Sequence, residues 1–140
     1  DNEDTTLYVG GSTHHEEGTW TPELYFGGAQ VGLTYANRVA NYTRIGNTVY
    51  VYGYIFLSAK GTSTGVVTVT GLPYIPDYNM LFPIGTSSVT ITAGGQAMAF
   101  IDGLRTSIGI GEMVTGVYTQ LTDTAFSGNE VIYLNFSYPT

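Results

Sequence analysis

The segment Asn47-Thr48-Val49-Tyr50-Val51-Tyr52-Gly53-Tyr54-Ile55-Phe56-Leu57-Ser58 reads as one long β-strand. In an extended backbone successive side chains point to opposite faces, so Val49, Val51, Gly53, Ile55 and Leu57 share one face and Tyr50, Tyr52, Tyr54 and Phe56 the other. Twelve residues extend about 40 Å. Neither face is polar, so the aliphatic side needs one covering layer and the aromatic side another. One face is expected to pack the core of the domain. The other then meets a second copy of the chain, an aromatic cluster within the same sandwich, or a sugar.

The rest of the sequence fits an all-β domain. A chain of 140 residues makes one domain able to bury a core without metal or disulfide. It has no Cys, which excludes thiol catalysis and Cys-based zinc sites. Four Lys or Arg stand against eleven Asp or Glu, for a net charge of −7, which disfavours phosphate backbones and anionic membrane surfaces as partners. No apolar run approaches the roughly 20 residues of a membrane span, and the acidic start Asp1-Asn2-Glu3-Asp4 is unlike the basic start of a signal peptide. A soluble chain without membrane insertion is expected.

Taken in order, residues 1–17 read as a lead-in segment or linker, with one short strand at Thr6–Val9. The folded domain is expected over 18–140, beginning at Gly18-Thr19-Trp20-Thr21-Pro22. Strands are expected at Glu23–Phe26, Gln30–Tyr35 and Asn37–Ile45, then at the central segment and at the β-branched run Val66–Thr70. Pro73, Pro76 and Pro83 with Asp77 and Asn79 make Tyr74–Pro83 a long surface loop. Ser87–Thr92, Gln96–Ile101, Leu104–Ile110, Met113–Leu121 and Asn129–Tyr138 complete about ten strands separated by Gly-rich turns. No helical period competes, and the predicted fold is an antiparallel β-sandwich of jelly-roll type.

Several motifs occur in a fixed order: Gly18-Thr19-Trp20-Thr21-Pro22, Phe26-Gly27-Gly28, Tyr42-Thr43-Arg44-Ile45-Gly46-Asn47-Thr48-Val49-Tyr50, Ser58-Ala59-Lys60-Gly61-Thr62-Ser63-Thr64-Gly65 and Gly71-Leu72-Pro73. Together they resemble the C-terminal module of bacteriophage tail fibres and tailspikes. The resemblance covers the first half of the folded domain and fades beyond Tyr74. It implies a β-sandwich that closes the distal end of a homotrimeric fibre in the virion tail, without catalysis or cofactor. It also implies binding of bacterial surface polysaccharide, whether capsule, exopolysaccharide or lipopolysaccharide. The first 17 residues would then lead from a fibre shaft or a preceding domain.

Candidate chemistry follows residue type. Tyr50, Tyr52, Tyr54 and Phe56 are either a trimer interface or core face, or a stacking platform for pyranose rings. Trp20, the one Trp, is expected to pack the start of the sandwich. Tyr74, Asp77, Tyr78 and Asn79 combine aromatic surface with short polar groups, the make-up of a sugar site, or else form an ordinary Pro-rich turn. Asp102, Arg105 and Asp123 read as solvated turn residues. His14-His15-Glu16-Glu17 alternates its side chains across a strand, which separates the imidazoles, so no metal site is expected. No spacing marks a carboxylate pair for glycoside hydrolysis. Asn41-Tyr42-Thr43 and Asn135-Phe136-Ser137 match a glycosylation pattern by chance, lying in predicted strands. The alternatives to receptor binding are a purely structural trimerisation domain, a monomeric lectin and an independent glycan hydrolase.

Overall fold

A computed structural model describes residues 14–140. The expected strand at Thr6–Val9 lies outside the described residues. The strands are, in chain order, β1 (His15–Thr19), β2 (Glu23–Phe26), β3 (Thr34–Ile45), β4 (Thr48–Ala59), β5 (Val67–Thr70), β6 (Met80–Pro83), β7 (Thr86–Ser87), β8 (Gln96–Ile101), β9 (Ser107–Val114), β10 (Val117–Gln120), β11 (Val131–Tyr133) and β12 (Phe136–Pro139). One turn of 3-10 helix, Asp123–Ala125, precedes β11.

The strands form two antiparallel six-stranded sheets. The front sheet runs β1-β3-β4-β11-β7, with β12 also on β4; the back sheet runs β2-β5-β9-β8-β6, with β10 also on β9. This is the predicted antiparallel β-sandwich of jelly-roll type, its chain crossing repeatedly between sheets.

β4 is its spine. β3 pairs along nearly its whole length from Thr34↔Ala59 to Ile45↔Thr48. Its other edge is shared, β12 covering Thr48–Val51 and β11 covering Tyr54–Phe56. In the gap between them the Asn135 side-chain oxygen accepts the Gly53 N–H at 3.2 Å, and Gly53 O accepts the Leu134 N–H at 2.9 Å. Asn129–Tyr138 is therefore two strands instead of one, because the Asn135 side chain stands in for a ladder carbonyl at the break.

The aliphatic face of β4 forms the core as expected. Val49, Val51, Ile55 and Leu57 are buried against Leu24, Phe26, Val67, Val69, Ile101, Ile108 and Ile110 from the back sheet. Ile132, Leu134, Phe136 and Tyr138 extend the same layer. Burial of each such side chain contributes about 1.5–3 kcal/mol.

Several local expectations change. Gln30–Tyr35 and Asn37–Ile45, expected as two strands, form one, β3, which begins only at Thr34; Leu104–Ile110 and Met113–Leu121 become β9 and β10, with β9 running on to Val114. β1 begins at His15, so part of the predicted lead-in segment pairs with β3, from His15↔Ile45 to Thr19↔Asn41. Tyr74–Pro83 is a loop only as far as Asn79, since Met80–Pro83 adds to β8 as an edge strand, where the missing Pro83 N–H is tolerated. Ser87–Thr92 supplies only one residue, Ser87, to the two-residue strand β7. Ser88 has φ 68°, which turns the chain out of the ladder.

Gly53 lets β4 and β3 pass closely. A Cβ there would lie 2.0 Å from Val39 O and 2.6 Å from the Ala40 Cα. Gly53→Ala is expected to destabilise the domain by about 2–3 kcal/mol, an overpacking cost that equilibrium denaturation would measure.

Candidate functional site

Three surfaces hold the residues singled out from the sequence. The first is the outer face of the front sheet. Tyr50, Tyr52 and Phe56 keep 46%, 47% and 37% of their surface exposed. Tyr54 is half-buried, held by the Asn37 amide at 2.7 Å and by the ring of Tyr133 at 6.3 Å. An aromatic cluster inside the sandwich, one of the three covers expected for this stripe, is therefore ruled out. Cross-strand partners widen the stripe into a patch: Thr43 and Ser137 lie opposite Tyr50, Asn41 opposite Tyr52, Val39 and Tyr133 opposite Tyr54, and Asn37 and Val131 opposite Phe56. All of these partners are uncharged.

The second surface is the loop after β5. Its four predicted sugar contacts separate into two groups. Tyr74 turns inward: its hydroxyl donates to Glu16, its ring meets Tyr42 edge-on at 5.8 Å, and the Arg44 guanidinium sits 4.6 Å above it. Tyr74 is thus a packing residue, because a carboxylate and a cation on the front sheet hold it. Asp77, Tyr78 and Asn79 remain at the surface, Tyr78 with 57% exposed. Asn79 accepts the Gly103 N–H at 2.7 Å, and Pro76 O accepts the Leu104 N–H at 2.9 Å. These bonds fix the loop against the turn that carries Asp102 and Arg105, whose side chains pair at 3.2 Å. The fold thereby brings Asp77, Tyr78, Asn79, Asp102 and Arg105 to one end of the sandwich.

The third surface comprises two clefts beside β10. One, of about 290 Å³, is lined by Thr90, Thr92, Thr119, Thr122 and Thr124 with Glu112. Both Glu112 oxygens are engaged by Thr92, through its N–H at 2.8 Å and its hydroxyl at 2.7 Å, which hold the carboxyl below its usual range. The other, of about 240 Å³, lies on the outer face of the back sheet and includes Asp102 and Arg105.

Two further acids among the described residues are structural. Asp123, expected to be solvated, is buried: it accepts the Gly65 N–H at 2.9 Å and pairs with Lys60 at 3.4 Å, and the Gly65 bond lowers its pKa. Glu130, which the sequence did not single out, is fully buried and caps the turn before β11. It accepts the Gly128 N–H at 2.8 Å and also the Ser127 N–H and hydroxyl. Only its short spacing from Ser127-Gly128 hinted at this. Trp20 is buried as expected, donating Nε1–H to Asn41 O at 3.2 Å. His14 lies 3.3 Å from Glu16 and His15 3.5 Å from Glu17. Among the described residues no three His, Cys, Asp or Glu side chains gather around a common point.

Glu16 closes one end of the sandwich. It accepts the Tyr42 hydroxyl at 2.6 Å as well as that of Tyr74, and these bonds, Tyr42 first, bring its pKa from 4.5 down to about 2. The same bond pushes Tyr42 up to about 12. The Tyr42 ring needs Gly18 beneath it, where a Cβ would lie 2.8 Å from the ring.

No protein-family model and no curated protein matches the sequence. Among solved structures, the Dettilon tailspike protein (gp208) is similar in fold, with a TM-score of 0.74 over 89% of this chain at 13% identity. The chain spans 24% of that protein's length.

Since the folded Glu16 carboxyl ionises below an unfolded one, its stabilisation is fully present above pH 4.5 and is lost as pH falls toward about 2. Glu16→Gln is expected to lower Tm at neutral pH and to flatten its decline across that acid window, as thermal melts at a series of pH values would show.

Proposed function

We propose that this chain is a non-catalytic host-attachment domain of a bacteriophage tailspike or tail fibre, placed at its C-terminal end and assembled as a homotrimer that binds bacterial surface polysaccharide. The observation that carries the reading is the uncovered face of the front sheet. Its exposed rings and uncharged neighbours have the composition of an interface core, where aromatic residues concentrate and charges are depleted. A lone protomer would leave this apolar patch in water. A ring of identical faces closing on an axis covers it. The fold likeness to a tailspike protein and the ordered motifs from Gly18 to Pro73 support a phage tail as the setting.

In this reading the front sheet joins subunits and the end bearing Asp77, Tyr78, Asn79, Asp102 and Arg105 meets the glycan. Tyr78 offers ring surface, and its neighbours offer carboxylate, amide and guanidinium groups to hydroxyls. Three weak sites on one rigid trimer then act together through effective concentration. A purely structural clamp shares the trimer and lacks the binding, so the two separate on a glycan assay.

Light scattering of the isolated chain is expected to give three times 15.0 kDa over a wide concentration range. Tyr52→Glu places like charges together at the interface and is expected to give a folded monomer, with an unchanged circular dichroism spectrum. A monomeric parent protein would remove the trimer. Tyr78→Ala is expected to reduce binding to immobilised capsule, exopolysaccharide or lipopolysaccharide preparations while the trimer mass stays the same. Undiminished binding would take the loop out of the site.

A further inference from the structure

The threonine-lined cleft that contains Glu112 lies at the end of the sandwich away from the Tyr78 loop. On the loop, Asp77 N–H donates to Pro139 O, and Pro139 pairs with Thr48 at the start of β4. The turn Asp123–Ala125, which walls the cleft, is held instead by Lys60, the residue after β4 ends at Ala59. The length of β4, about 40 Å, therefore separates the two places. Hydrogen bonds tie the walls of the cleft to one another. Thr90 N–H donates to Ala125 O at 3.0 Å, joining the segment after β7 to the turn, and Thr92 N–H donates to Glu112 of β9 at 2.8 Å. Leu121, just past β10, donates to Ile110 O and accepts the Val67 N–H, each at 2.9 Å. A cleft braced in this way loses little freedom when a ligand enters.

Thr90, Thr92, Thr119 and Thr124 are exposed and Thr122 is half-buried, so the cleft presents hydroxyls beside methyl groups. Ile91 and the buried Leu121 and Ala125 add apolar surface among them. The Thr122 and Thr124 hydroxyls lie 2.8 Å apart; whichever of them accepts keeps its own proton for a ligand. Glu112 brings the one charge. Each of its oxygens takes one bond from Thr92, and an ionised carboxylate has roughly four acceptor sites, so each oxygen can accept again. No Lys or Arg lines the cleft, which together with the net charge of −7 disfavours an anionic ligand. A calcium ion takes about six to eight oxygens, usually with several carboxylates, and Glu112 is the single acid here. No aromatic ring offers a stacking surface to a planar ligand. What remains is a neutral molecule that alternates C–H and O–H groups.

We propose that this cleft is a second glycan site, taking one neutral pyranose residue whose hydroxyls donate to Glu112 and exchange hydrogen bonds with Thr119, Thr122 and Thr124, while its C–H groups rest on Ile91 and Leu121. The class of ligand rests on the attachment function above; the place is separate from the Tyr78 loop. A cleft of about 290 Å³ lies just below the roughly 300–1,000 Å³ that hold drug-sized ligands, and suits one ring. A protomer that holds glycan at both ends has two weak contacts, which act together through effective concentration as the three copies do.

The test is a titration of the methyl-labelled full chain with the methyl glycosides of glucose, galactose, mannose and N-acetylglucosamine, with methyl glucuronide and calcium chloride as the charged comparisons. The Ile91 and Leu121 methyls report the cleft, Leu104 the Tyr78 end, and Val39 and Ile45 the front sheet. Saturable shifts at Ile91 and Leu121 with a neutral glycoside are expected, weakened about two- to tenfold in Thr119→Val and in Thr124→Val, as loss of one hydrogen bond implies. Both threonines are exposed, so these variants fold. Tyr78→Ala is expected to leave the same shifts unchanged. Glu112→Gln is expected to weaken the neutral glycoside and to narrow its advantage over the glucuronide, a change of preference that a packing role alone would not produce. No saturable shift at Ile91 would overturn the proposal, as would shifts confined to Leu104 or to Val39 and Ile45. Saturation of the Ile91 shift by calcium alone, or an equal response to the glucuronide, would also overturn it. A trimer that still bound polysaccharide through Tyr78 after such a result would keep the attachment function and lose only this second site.

Discussion

A sheet has two faces, and in this chain β4, one of its two twelve-residue strands, carries no charged side chain on either. β4 is tethered along both edges, by β3 on one side and by β11 and β12 on the other, so it can neither turn over nor move to a solvated edge. Once Val49, Val51, Ile55 and Leu57 meet the back sheet, Tyr50, Tyr52 and Phe56 must face outward. A one-residue slip would exchange the two sets, and the wider rings do not fit where the aliphatic side chains interlock with Val67, Val69, Ile108 and Ile110. The apolar outer patch thus follows from the same register that builds the core.

The ends of the sandwich are closed by polar groups whose partners lie far away in sequence. Glu16 on β1 draws in Tyr42 from β3 and Tyr74 from the loop after β5, while Asp123 ties the Lys60–Gly65 loop to the chain before β11. Both use an ionised carboxylate against donors, which gives stronger bonds than neutral pairs. This closure also decides what is left at the surface. With Tyr74 withdrawn, Asp77, Tyr78 and Asn79 stand against the Asp102–Arg105 turn, which borders the back-sheet cleft. In the proposed trimer the front sheet assembles and the opposite, back-sheet side with its flanking loop remains free to meet a glycan, so neither task competes with the other.

Sequence alone determined the fold class and the core face, because strand periodicity is local: the alternation in Val49–Leu57 needs no knowledge of any partner, and glycine-rich turns mark where strands stop. It also placed Trp20 in the packing and gave the aromatic stripe its two-sided choice of cover. Strand limits were less legible where a distant residue set them. His15–Glu17 looks like a polar lead-in until β3 supplies a ladder, and Asn129–Tyr138 looks continuous until Asn135 meets Gly53. Tertiary structure alone decided which polar residues are available. Tyr74 and Tyr78 are four residues apart in one loop, yet one is locked against Glu16 and the other faces solvent. Asp123 and Glu130 look like surface acids and are buried, whereas Gly109, silent in the sequence, makes room for the side chains of Tyr118 and Gln120. The physical reason is range: backbone alternation repeats every two residues, but burial, hydrogen-bond partners and cavities depend on side chains that the fold brings together from scores of residues away.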